Sequence, residues 1–150
     1  METNQIATAP LIKEILLDAP VHRVWKAITN NDDFKHWYFD IKKFQPVVGF
    51  EFQFLGENEG RKFVHLCKIK EVIQNKKISY TWTYESFPEA ETLVTWELFP
   101  EGNKTKLRLT HEGLEKLPQD RDYQKSNFIA GWDHIIGTSL KEYVEARSKD

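Results

Sequence analysis

Two histidines, one cysteine and a set of tyrosines are the residues of this chain whose types could do chemistry. His65 and His111 each fall on the apolar side of an alternating segment. A buried imidazole can act as acid, base or metal ligand, or simply sit in a core, satisfied by a backbone or tyrosine partner. Cys67 lies two residues from His65 and shares its face. One such pair is not a zinc site, which takes three or four ligands. A buried thiol without an adjacent base is inert rather than nucleophilic. Glu97 and Glu112 alternate to the opposite face, and His22, Arg23 and Lys26 lie on the polar side of a first helix. His36 and His134 read as surface or rim residues. No paired carboxylates, no G-x-S-x-G elbow and no phosphate-cradling glycine loop occur. The chain is therefore predicted not to be an enzyme and to use no metal or cofactor. The enzymatic arrangement that the residues leave open is His65 or His111 working with Tyr80 or Tyr84 as acid and base.

Rings are the more abundant signal. Phe50, Phe52 and Phe54 alternate with Glu51 and Gln53, and Tyr80, Trp82 and Tyr84 alternate with Thr81 and Thr83. Phe63 and His65 share a face, as do Val94, Trp96 and Leu98. Filled cores favour Leu, Ile and Val, whereas this density of rings suits the wall of a cavity. Tyrosine and tryptophan also bring O–H and N–H groups that need partners when buried.

The elements that must position these rings follow from periodicity. Leu11 to Leu17 reads as a first strand, broken by Asp18-Ala19-Pro20. Val21, Val24, Trp25 and Ile28 recur at helical spacing, so a short helix is predicted to about Thr29. Asn30-Asn31-Asp32-Asp33 carries capping chemistry, and Phe34, Trp37 and Tyr38 predict one further helical turn. Phe39, Ile41 and Phe44 predict a weak strand ending near Pro46. Period-two segments then run from Phe50 to His111. They are broken by predicted loops at Gly56–Gly60, Asn75–Lys77, Ser86–Ala90 and Pro100–Asn103. Gly113 to Asp122 reads as a polar connector. From Ser126 to Arg147 one long helix is predicted, with Phe128, Trp132, Ile135, Ile136, Leu140, Tyr143 and Val144 as its apolar face. The order predicts an α+β helix-grip fold: a curved antiparallel sheet of about six or seven strands wrapped on a long terminal helix, with two short helices after the first strand.

Composition bounds the class. The chain of 150 residues suits one domain with an ordered core over 11–147. A net charge of −2 with mixed signs argues against a nucleic-acid partner. A single cysteine precludes an internal disulfide. No stretch approaches the roughly 20 apolar residues of a membrane span, and residues 1–10 show no secretion signal, so a cytoplasmic location is predicted.

The run Leu17 to Thr29, with Ala19-Pro20, Val24-Trp25 and then Trp37, resembles the opening of the START-like (SRPBCC) superfamily. It is most similar to the branch named for the activator of a heat-shock chaperone's ATPase. Thr105, Leu107, Leu109, Thr110, His111, Gly113 and Leu114 fit that branch's last-strand motif. Gly131-Trp132 fit the helix motif, with Ile136 in a leucine position and Ser139-Leu140 a slight departure. The resemblance covers about Leu11 to Ala146 and implies the same helix-grip frame. That frame hosts carriers, cyclases and co-chaperones, so it implies less about function than about fold.

The combined reading predicts a small hydrophobic ligand, aromatic or lipid-like, held between sheet and helix. The predicted lining is Trp37, Phe52, Phe54, Phe63, His65, Tyr80, Trp82, Tyr84, Trp96, Phe128 and Trp132. A co-chaperone-like interaction module with a chaperone as partner is one alternative, and a cyclase- or hydrolase-like enzyme using the cavity histidines and tyrosines is the other. Oligomeric state is left as monomer or dimer.

Overall fold

The computed structural model describes residues 9–38, 41, 43–58, 60–118, 123 and 125–147. Strand β1 (Leu11–Leu17) leads to Pro20, which is extended at φ −70° and precedes helix α1 (Val21–Thr29). Pro20 suits this place because its missing N–H would be one of the helix's orphan donors. The Asn30 side chain caps helix α2 (Asn31–Trp37) by accepting from the backbone N–H of Asp32 and Asp33. Five strands follow: β2 (Glu51–Asn58), β3 (Arg61–Ile73), β4 (Lys77–Tyr84), β5 (Phe87–Glu101) and β6 (Lys104–Glu112). Asn75 takes the left-handed φ of 65° that turns β3 into β4, and Gly102 does the same between β5 and β6.

These strands form a six-stranded antiparallel sheet in the order β1-β6-β5-β4-β3-β2. It is a meander from β2 to β6, with β1 returning to the far side of β6. The terminal helix α3, residues 125–147, lies against the inner face. Trp132 packs its ring 5.4 Å from that of Trp82 and 5.7 Å from that of Trp96. The result is the predicted helix-grip architecture, with the core between the sheet, α3 and the two short helices.

Helix α3 is not uniform. It is α-helical over Lys125–His134 and Lys141–Arg147, with a π-helical stretch, Ile135–Leu140, between. Its fully covered residues are Trp132, Ile136, Leu140 and Val144, four apart each time. In an α-helix each step of four overshoots a full turn by about 40°, so three steps would swing Val144 far from Trp132. The wider π turn removes that drift and keeps all four on one face.

Several local expectations are corrected. Ile41 and Phe44 are buried but not in a strand. They pack under the loop that leads to β2, where Phe44 meets Phe34 edge-on at 5.1 Å. Phe39 lies outside the described residues, as does Asp122. Gly56 is not in a loop but inside β2, and the segment 87–90 belongs to β5. The connector after β6 is not wholly polar: it forms a 3-10 turn over Leu114–Lys116, and Leu114 and Leu117 are buried. In the last two cases, burial of Ala90, Leu114 and Leu117 outweighed the local loop signal.

Candidate functional site

Register places the predicted lining residues side by side. Phe54, His65 and Tyr84 are successive partners across β2, β3 and β4. The Phe54 and His65 rings stack in parallel at 4.4 Å, and His65 meets Tyr84 at 4.8 Å. The remaining rings extend this row. Phe52 lies 5.1 Å from Tyr80, Trp82 lies 5.5 Å from Phe54, and Phe63 lies 6.3 Å from Tyr84. Trp96 meets Trp37 at 6.1 Å, and Trp37 is itself anchored by its Nε1–H donating to the Ala27 carbonyl at 2.8 Å. From α3, Trp132 joins Trp82 and Trp96, while Phe128 reaches His111 at 5.3 Å. All eleven residues therefore belong to one continuous ring network. Nine are buried, whereas Phe63 and Phe128 are half-buried.

His111 is fully enclosed, and its hydrogen bonds fix its tautomer. Trp132 Nε1–H donates to His111 Nδ1 at 3.2 Å, so that nitrogen carries no proton. His111 Nε2–H then donates to Thr92 Oγ1 at 2.8 Å, and the Thr92 hydroxyl donates to the Trp82 carbonyl at 2.6 Å. Burial, with a small contribution from His65, holds the His111 imidazole down at about 3. Both ring nitrogens are thus committed to holding α3 on β4, β5 and β6.

His65 is lowered to about 4, first by burial, against hydrogen bonding to the backbone of Phe54 and Phe63. Gly56 explains how the imidazole fits. A Cβ there would lie 2.7 Å from His65 Cε1, so the ring occupies the space a side chain would take. Burial pushes the Cys67 thiol well above its ordinary value, leaving no thiolate at neutral pH. The phenols of Tyr80, Tyr84 and Tyr38 are likewise raised by burial and remain protonated. Each of the first two accepts a bond from an indole: Trp96 Nε1–H reaches Tyr80 at 2.9 Å and Trp82 Nε1–H reaches Tyr84 at 3.1 Å.

Sequence reasoning missed three contributors. Tyr38 places its hydroxyl 3.4 Å from that of Tyr80, and Tyr123 meets Tyr84 at 5.0 Å. Thr92 orients His111. Extending the Val94–Trp96–Leu98 alternation back by one pair would have found Thr92. Tyr123 carries no such signal, because it stands in an aperiodic connector.

A concavity of about 470 Å³ lies elsewhere, lined by Glu51, Gln53, Leu66, Lys68, Thr81 and Thr83 with Phe52 and Cys67. Most of these residues point away from the rings, on the outer face of β2, β3 and β4. Among the described residues no group of three or more His, Cys, Asp or Glu is placed to hold a metal ion. Among them, too, no helix is long and apolar enough to cross a membrane.

The frame recurs in solved structures. A protein from Chromobacterium violaceum, CV1439, superposes with a TM-score of 0.75 at 21% identity, covering 91% of this chain and 97% of that one. The Aha1 dimer from Colwellia psychrerythraea gives 0.72 at 24% identity, over 91% and 96%. DynU16, from the dynemicin biosynthetic locus, gives 0.74 at 19% identity over 93% of this chain, which spans only 48% of DynU16. At these identities the likeness shows the fold alone. No curated protein matches the chain. The family model described as Activator of Hsp90 ATPase homolog 1-like protein matches residues 18–145, most of the sequence, and the chain belongs to that family.

Proposed function

We propose that this protein is a cytoplasmic binding protein for a small hydrophobic molecule, aromatic or lipid-like, taken up between the sheet and α3. The observation that carries this reading is the continuous ring network, contributed by both walls and tipped by a few polar groups. Ligand sites are built that way: mostly apolar, with sparse groups that orient. Entry on this reading requires the half-buried rings Phe63 and Phe128 to swing aside. Binding without turnover is supported by the titration of the interior groups. A general base works best near the operating pH. His65 at about 4 is a poor base, and His111 has both nitrogens engaged.

Titration with an environment-sensitive hydrophobic dye tests the proposal, beside native mass spectrometry for a co-purified molecule. Saturable, stoichiometric binding to the folded protein, weakened by Phe54→Asp or Tyr84→Asp in variants that stay folded, is the expected result. A folded protein that binds no dye and carries no molecule would leave a protein-interaction module as the better reading. That second reading has its own support. Ile12 and Leu16 on edge strand β1 are 57% and 46% exposed, and the family description names a chaperone ATPase activator. Direct binding of the chaperone with stimulation of its ATPase is the measurement that would establish it.

A further inference from the structure

The two interior phenols bonded to indoles are not equivalent. An indole N–H can only donate, so in both pairs the phenol oxygen is the acceptor. A phenol that has accepted one bond still has its own proton to give. Tyr80 has a partial outlet, because its oxygen lies 3.4 Å from the Tyr38 hydroxyl. That is well beyond the roughly 2.7–2.8 Å usual for a hydroxyl pair. Tyr84 has none. It is 5% exposed, and among the described residues its proton has no acceptor. A buried donor left unmade carries its full desolvation cost, so this hydroxyl is an unspent recognition group.

The surroundings say what could satisfy it. The groups acting on Tyr84 are its own burial, the Trp82 bond, and the Tyr123 and Cys67 side chains. Those acting on Tyr80 are its burial, Tyr38, Cys67 and Trp96. Among the described residues no cation acts on either phenol, so an anionic oxygen placed there would be buried without a counter-charge. A neutral acceptor meets no such penalty. Tyr84 stands at one end of the network, beside Phe63, which is only half-buried.

We propose that the molecule bound between sheet and helix carries a neutral acceptor oxygen, a ketone or ester carbonyl, seated on the Tyr84 hydroxyl. This rests on the binding role proposed above. An apolar pocket alone discriminates weakly between molecules of equal shape. A site with a buried hydrogen-bonding group rejects the analogue that leaves that group unpaired.

The experiment compares three probes by calorimetric titration: acetylnaphthalene, isopropenylnaphthalene, which replaces the oxygen by a methylene at nearly the same shape, and naphthoate. The ketone is expected to bind about tenfold or more tighter than the hydrocarbon, and more tightly than the anion. Its carbonyl stretch should move to lower wavenumber on binding. Tyr84→Phe should abolish the ketone's preference over the hydrocarbon and return the stretch toward its free value. Equal binding of ketone and hydrocarbon by the unmodified protein, or an unshifted stretch, overturns the anchor and leaves the binding role standing; neither measurement needs a variant. A preference that survives Tyr84→Phe overturns it too. Tightest binding of naphthoate overturns the neutral ligand class. Failure of all three probes to bind overturns the binding role and this inference with it.

Discussion

His111 and His65 make the interior sensitive to acid. Both are held far below the usual histidine value of 6.5, at about 3 and about 4 respectively. Between those values and 6.5 the unfolded chain binds more protons than the folded one. Their contribution to stability is therefore complete above about 6.5 and drains away as the pH falls toward 4 and 3. A protonated His111 would also set an N–H against the Trp132 N–H. Urea midpoints should fall between pH 7 and 5, with a loss on the order of 1 kcal/mol per pH unit for each histidine. An unchanged slope in His111→Gln would show that the imidazole is not the origin. Two glycines give opposite forecasts at the same scale. Gly56→Ala drives a methyl into the His65 ring and should destabilise by about 1–3 kcal/mol. Gly131→Ala, in helix α3 with nothing within 4 Å, should stabilise by about 0.5–1 kcal/mol. Thermal or urea unfolding of the pair decides both.

The π stretch of α3 is the element that meets the sheet's demands. Its four buried residues stand at spacings of four, and only the wide turn over Ile135–Leu140 keeps them in line. Removing Gly137 would change those spacings to four, three and four, which is an ordinary α-helical stripe. The deletion is expected to fold, with the wide turn collapsed to α-helix, and to cost less than Leu140→Ala, which should lose about 2–5 kcal/mol. Trp132→Ala should cost about 3–5 kcal/mol, since it empties the contact with Trp82 and Trp96 and also leaves His111 Nδ1 without its donor. Circular dichroism with urea midpoints on the three variants tests the ranking. A Gly137 deletion less stable than Leu140→Ala would mean that the wide turn serves something other than register.

At the scale of the whole molecule the fold is a clamp with the sheet as one jaw and α3 as the other. Ties on its margins join α3 to the rest: Lys13 to Asp133 at 2.9 Å, and Tyr143 to Asp33 of α2. The ion pair is partly exposed and adds little, so the ring network is the principal bond between the jaws. A ligand held between them would stabilise the folded state by mass action, about 2.7 kcal/mol at one hundred times its Kd. The unfolding temperature should then rise steadily with ligand concentration. An unfolding temperature that does not move with saturating ligand would mean that the folded state does not bind it preferentially.

Much of this arrangement was legible in the chain because it is periodic. Alternation placed Phe52, Phe54, Tyr80, Trp82, Tyr84 and Trp96 on one face, since successive side chains of a strand point to opposite sides. Spacing of three and four placed Phe128 and Trp132 on the helix. The family resemblance rested on motifs carried by these same elements. What periodicity cannot encode is the contact between faces. The Trp132–His111–Thr92 relay and the Tyr38–Tyr80 approach join residues 19 to 42 positions apart. Their geometry depends on strand register and on the docking of α3. The place of Gly56 was hidden for the same reason. Its neighbours read as a loop, and only the His65 ring, brought alongside by pairing of β2 with β3, makes a glycine necessary in the strand. The π turn likewise left no mark in composition, because it arises where a helix of fixed pitch must keep four side chains against a sheet that does not turn with it.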